Sequence, residues 1–236
     1  KVVSRFQSRI GPNRVGPFGL IQPFADIIKL LIKEDTTPEG ADKTLYNLAP
    51  ILSMMSVLIL WAVVPLAPSI LGVDLNIGAL YIIAAGAIGA LSIIMAGWSS
   101  NNKYSLIGAF REVAVMLSFE IPMLTVMLIP TIFTGSMGIG AITQAQDTWF
   151  VFLAPLAAVI FLIAAIAELG RAPFDMGEAE SELISGYNIE YSGMKFGMFY
   201  AGELLRAFTF GGFWAILFFG GYRFFGLEQV SAFLAV

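Results

Sequence analysis

Five stretches of this chain, Tyr46 to Leu66, Leu75 to Gly97, Val113 to Phe133, Trp149 to Ala167 and Phe196 to Tyr222, are almost free of charge. Each is long enough to cross about 30 Å of hydrocarbon at about 1.5 Å per helical residue. Hydrophobic residues make up 58% of the chain and charged residues 13%, which excludes the soluble globular classes. An all-α, polytopic transmembrane helix bundle is expected, a single membrane domain over residues 1–236.

The loops fix the orientation. Lys1, Arg5, Arg9, Arg14, Lys29, Lys33 and Lys43 precede the first span, Lys103 and Arg111 border the second loop on that side, and Arg171 and Lys195 border the third. The intervening loops, 67–74 and 134–148, carry no Lys or Arg. The positive-inside rule therefore puts the long loops in the cytoplasm or its matrix equivalent. On this reading residues 1–45 form a cytoplasmic loop and 168–195 an acidic cytoplasmic hairpin. The first residues have neither the apolar core nor the cleavage site of a signal peptide, and a basic loop at residue 1 leads us to expect an earlier helix before it.

Phe18 to Lys33 is too polar to span. Gln22, Asp26, Lys29 and Lys33 form one polar stripe, and Phe24, Ile27, Ile28 and Leu31 lie opposite, the pattern of an amphipathic helix in the membrane interface. The plainer alternative is a short helix packed against the bundle. Gly86, Gly89 and Ala90, with Gly211 and Gly212, are expected to permit close approach of helix backbones.

Charges inside the spans are few. Glu120 sits near the middle of the third span, before Ile121-Pro122. It must be protonated, paired or facing a hydrated cavity, because a bare carboxylate in lipid costs several kcal/mol; the alternative is a neutral Glu bonding a neighbouring helix. Pro122 frees the carbonyl of Ser118 to hold water. Glu203 and Arg206 are three apart on one helix face, a spacing that lets them neutralise each other locally; the alternative is a purely structural pair. Arg111 and Glu112 lie at the inner edge of the third span, and Glu112 and Glu120 are separated by about 12 Å of axial rise, a spacing for two stations linked by water.

The hairpin holds Glu168, Asp175, Glu178, Glu180, Glu182 and Glu190. Clustered carboxylates raise one another's pKa, so the group is a candidate for proton exchange; the alternative is a solvated acidic surface or a docking face for a basic partner. Asp175-Met-Gly-Glu178 has capping-box form, which predicts a short helix with Glu178 and Glu182 on one face. The chain has no Cys and no His, so no thiolate or imidazole site for zinc, haem or an iron–sulfur cluster is expected. There is no basic stripe for nucleic acid.

Several long motifs, in order, then carry a resemblance: Arg9-Ile-Gly-Pro-Asn-Arg14, Gly19-Leu-Ile-Gln-Pro-Phe-Ala-Asp26, Gly97-Trp-Ser-Ser-Asn-Asn-Lys-Tyr104, Gly108-Ala-Phe-Arg111, Arg171-Ala-Pro-Phe-Asp175, and Glu178 through Gly193. From residue 1 to about 222 the chain closely resembles the quinone-site membrane subunit of respiratory complex I, its H subunit. The resemblance implies an eight-helix subunit, of which this chain shows five spans, in a bacterial cytoplasmic or organelle inner membrane. It implies no cofactor bound by this chain, a quinone as substrate and an iron–sulfur cluster on a partner. The implied partners are hydrophilic quinone-site and iron–sulfur subunits, small membrane subunits and antiporter-like subunits. It assigns Arg9, Arg14, Phe24 and Asp26 to the quinone tunnel. It assigns Glu120, Glu168, Asp175, Glu178, Glu180, Glu182, Glu190 and Glu203 to an acidic proton path, which Glu112 joins as a further station by its spacing from Glu120; Arg111, Arg171 and Arg206 are the expected charge partners. Where the family commonly has Gln, Tyr and Tyr, this chain has Val115, Phe119 and Leu204, and Glu112 stands where a small residue is common; water, assisted by Glu112, has to fill those gaps. A homologous subunit of a membrane-bound hydrogenase or ferredoxin-fed complex fits the same motifs. A standalone ion-coupled transporter is a further class, for which no internal repeat is seen.

Overall fold

Helix boundaries follow capping and breaking residues. The computed structural model describes residues 2–66, 72–177, 182 and 184–226. Its helices are α1 (Val2–Phe6), α2 (Gln22–Ile32), α3 (Lys43–Trp61), α4 (Gly78–Ser99), α5 (Lys103–Thr134), α6 (Ile139–Gln144), α7 (Phe150–Leu153), α8 (Pro155–Glu168) and α9 (Gly193–Phe219). Asp42 caps α3, its carboxylate accepting from the backbone N–H of Thr44 at 3.1 Å. Asn102 caps α5 through the N–H of Tyr104 at 2.9 Å. Gly135 and Gly220, in the left-handed region, end α5 and α9. Among the described residues there is no strand.

Four helices, α3, α4, α5 and α9, are long and apolar enough to span. The fourth expected window departs from one continuous helix. Ala154 has φ −137° and ψ 64°, a break between α7 and α8 set by the clash of Pro155 with the residue before it, and α8 itself has 14 residues. The helix expected over 18–33 begins only at Gln22, because Phe18 is left-handed (φ 55°) within a separate turn, Pro17–Gly19. Pro122 and Pro130 leave α5 unbroken over 32 residues. The short helix expected after Asp175 falls mostly on 178–181 and 183, outside the described residues.

The bundle runs α9, α3, α4, α5, α8 by packing, and α8 returns to touch α9. Lipid gives no hydrophobic drive between helices, so small residues that admit close van der Waals contact hold the interfaces. Three of the expected glycines do not do this, whereas Gly89 has the Ser56 hydroxyl of α3 at 3.3 Å from its Cβ position. Nothing lies within 4 Å of where a Cβ would stand at Gly86, Gly211 or Gly212. Gly97 instead seats the methyl of Ala109, joining α4 to α5, and Gly108 seats the backbone of Gly186. Two cores result, one around Met127, Phe161, Phe213 and Leu217, the other around Tyr46, Ala96, Met116, Tyr191 and Phe199.

Candidate functional site

A cavity opens where the two cores meet. Five helices line it through Ser53 on α3, Ile93 on α4, Glu112 on α5, Glu168 at the end of α8, and Phe199, Glu203 and Arg206 on α9. Leu169, Gly170 and Tyr187 complete it from the loop. Glu112 lies about 14 Å along α5 from Lys103, and Glu203 about 15 Å along α9 from Gly193. The volume of about 30 Å³ exceeds the roughly 10–15 Å³ that one water needs, so water can link the carboxylates.

Glu168 is the most enclosed acid, 4% exposed, and its Oε2 has no hydrogen-bond partner among the described residues. Arg206, Glu120 and Glu112 are the charges that act on it. Glu112 reaches from α5 into the loop after α8, its carboxylate against Gly170 and Gly177 where any Cβ would overlap it. Glu203 pairs with Arg171 at 2.9 Å, and also feels Arg206 and Asp175. The loop arginine thus makes the direct ion pair, while Arg206 still acts on Glu203 at longer range. The guanidinium of Arg206 lies instead against Gly89 on α4, which makes Gly89 a seat for a charge rather than for a helix backbone.

The structure thus brings Glu112, Glu168 and Glu203 together with Arg206, and sets Glu120 and Asp175 within electrostatic reach. It does not gather the rest of the acids there. Glu182 bonds Arg111 at 2.6 Å on the surface, and Glu190 accepts from the amide of Asn102 at 2.6 Å. Glu178 and Glu180 lie outside the described residues. Phe119 packs edge-on against Phe174 at 5.0 Å and so fastens the loop. Among the described residues no three His, Cys, Asp or Glu side chains are grouped to hold a metal.

Tyr187 is a cavity residue with no expected role. Its ring lines the cavity, and burial, followed by the charges of Glu112 and Glu203, pushes its phenol up. It stays neutral, able to donate or accept a hydrogen bond. The Ser105 hydroxyl donates to the Tyr187 carbonyl at 3.2 Å, which holds the loop on α5. Tyr46 and Tyr191 stack with centroids 4.2 Å apart, and the Tyr46 hydroxyl donates to the Glu190 carbonyl at 2.7 Å.

The residues expected at a quinone tunnel lie near the other end of the loop system. Arg14 and Gln22 line a groove of about 540 Å³ with Ile10, Gly11, Pro12 and Asn13. Gln22 donates to Asp26 at 3.0 Å, which joins Asp26 to that wall. Arg9 donates to Gln7 at 2.8 Å on the surface and does not line the groove. Phe24 is 66% exposed on the apolar face of α2. The helix meets the bundle where Leu30 reaches Gly197 of α9.

Residues 1–236 match the family model described as NADH dehydrogenase. The chain is 49% identical over 223 residues to the H subunit of NADH-quinone oxidoreductase from Dehalococcoides mccartyi strain CBDB1, covering 94% of this chain and 63% of that protein. It is 50% identical to the corresponding protein of Brevibacillus brevis, over 94% of this chain and 66% of that protein. For the Geobacillus kaustophilus protein of the same name the identity is 46%, over 94% and 68%. The chain therefore spans about two thirds of the length of these relatives. With four apolar membrane-length helices among its described residues and a match over residues 1–236, this chain belongs to the NADH dehydrogenase family of multi-pass membrane subunits.

Proposed function

We propose that this chain is a membrane subunit of a proton-translocating NADH:quinone oxidoreductase, forming part of a quinone tunnel and passing protons through its buried carboxylates. A quinone in that tunnel takes two electrons from an iron–sulfur cluster on a partner subunit and two protons, and leaves as quinol. The chain itself carries no Cys or His and contributes walls and proton-exchanging groups. The names of its relatives favour NADH over hydrogen or ferredoxin as donor.

The mechanism is electrostatic. Negative charge developing on the quinone favours the protonated state of nearby carboxylates, and a set of acids around one small polar cavity responds together. Glu168, enclosed and facing Glu112, Glu120 and Arg206, is the centre of that set. Arg171 and Arg206 act on Glu203 and hold the net charge of the cavity down. On this reading Arg14 and Asp26 supply polar contacts to a quinone headgroup, and Phe24 and its apolar neighbours on α2 meet the isoprenoid tail at the membrane surface. Arg9 sits beyond the groove, at its approach. Residues 1–45 and 168–195 face the hydrophilic partners, and Glu120 on α5 faces the membrane partners that carry protons onward.

The observation that carries this reading is the meeting of Glu112, Glu168, Glu203 and Arg206 at one cavity. Its test is Glu168→Gln in the assembled enzyme. We expect NADH-driven proton pumping to fall about 100-fold or more, the scale of losing one acid–base group, with the complex still assembled. Pumping and quinone reduction at wild-type rates would end the assignment.

A further inference from the structure

Gly89 is buried on α4, and the atoms nearest to where its Cβ would stand are not another helix backbone. They are the guanidinium of Arg206, with Cζ at 3.1 Å, and the hydroxyl of Ser56 at 3.3 Å. The Ser92 hydroxyl donates to the Gly89 carbonyl at 2.6 Å, so this part of α4 turns its own polar group inward and is satisfied. Gly86, one turn earlier, has nothing within 4 Å. The two glycines look alike in sequence, yet only one of them has a cation against it. Arg206 in turn lines the same cavity as Glu112, Glu168 and Glu203, and acts on both Glu168 and Glu203.

We infer that Gly89 is a positioning residue: the side-chain-free surface of α4 there lets the Arg206 guanidinium lie across the cavity at the height of its carboxylates. A methyl group at this position overlaps the guanidinium, and the end of a flexible arginine yields more readily than helix α4. The fold is kept while the charge moves. At contact range a displacement of about 1 Å changes a charge–charge interaction by about fourfold in population at an effective dielectric of about 20. Several groups share that field. Glu112 and Glu120 face the site from α5, Glu168 from α8, Glu203 from α9, and Arg171, Asp175 and Tyr187 from the loop. The perturbation is therefore a shift of one cation among fixed neighbours.

This inference rests on the proposed role of the cavity in proton transfer, and the experiment separates the two. Gly89→Ala, Gly86→Ala, Arg206→Gln and the double variant Gly89→Ala/Arg206→Gln are made in the whole enzyme, and kcat and KM for quinone are measured. Gly89→Ala is expected to lower kcat about fourfold with KM changed by less than about twofold, and Gly86→Ala to do neither. In the Arg206→Gln background Gly89→Ala is expected to cost nothing further, since the residue acts through the guanidinium. An equal loss in both backgrounds makes Gly89 a packing residue and overturns the inference. So does a wild-type Gly89→Ala beside an impaired Arg206→Gln, which leaves the cavity reading standing. A fully active Arg206→Gln removes both.

Discussion

Substitution of Gly108 tests whether the loop carrying Tyr187 is held in register by its contact with α5. A Cβ at Gly108 would stand 2.7 Å from Gly186 Cα, 3.0 Å from Gly186 C and 3.1 Å from Tyr187 N. Ordinary contact between carbons is about 3.5–4.0 Å, so the loop must retreat by about 1 Å. All three atoms are backbone, and no side chain can turn aside to absorb the strain. The neighbouring bond from Ser105 to the Tyr187 carbonyl, 3.2 Å long, spans the same contact and is lost with that retreat. Overpacking costs about 1–3 kcal/mol and the hydrogen bond about 1 kcal/mol. Gly108→Ala is thus expected to destabilise the loop's seating by about 2–4 kcal/mol. A 1 Å misplacement near reacting groups costs up to about 100-fold in rate, and Tyr187 lines the carboxylate cavity. The assay is the half-life of NADH:quinone activity at a fixed elevated temperature, a kinetic measure suited to a complex that unfolds irreversibly, together with the initial rate. Gly86→Ala and Gly211→Ala, with nothing within 4 Å, are the matched substitutions and should be neutral. If Gly108→Ala were as active and as long-lived as those two, the reasoning from the glycine contact would be wrong.

Removing the partner of Glu203 should separate stability from function. The Arg171–Glu203 pair at 2.9 Å is partly exposed and so worth at most about 1 kcal/mol to stability; Arg171→Gln is expected to leave heat resistance unchanged while lowering pumping about tenfold, and unchanged pumping would remove the pair from the mechanism. Tyr191 gives a pH prediction. Burial pushes its phenol up to about 12 from the ordinary 10.0, against the opposing hydrogen bonds of Ser99 and Ser100. The fold favours the neutral phenol, so its stabilising contribution is whole below about pH 10 and is lost as pH climbs through about 12. Tyrosinate absorbance in the intact protein compared with Tyr191→Phe should show no ionisation of this ring near pH 10; a transition at its ordinary value would contradict the burial.

The spans were legible because continuous apolar length is a property of neighbouring residues. The break before Pro155 was not read from the sequence: the rule for the residue before proline is local, but the apolar composition of 149–167 masks it. The acids were legible as a set of residues and not as an arrangement. Glu168 reads in sequence as the start of a polar hairpin, although the return of α8 against α5 encloses it. Glu190 reads as one more member of the cluster and instead caps a contact with Asn102, 88 residues away in sequence. The role of Gly89 left no trace in the chain, because what it accommodates is the far end of an arginine on α9, more than a hundred residues later. Close-packing glycines were expected from small-residue spacing alone, and the true ones, Gly97 and Gly108, are those whose partner surfaces are brought up by the loop and by α5.

Helix α5, with 32 residues, is about 48 Å long at helical rise, some 18 Å more than the hydrocarbon layer. Beyond Glu120 on α5, Glu168 on α8 and Arg206 on α9, the remaining parts of those helices contain no ionisable side chain. The ionisable groups of these three helices thus lie toward the ends flanked by the lysine- and arginine-rich loops, and the remaining lengths are wholly uncharged.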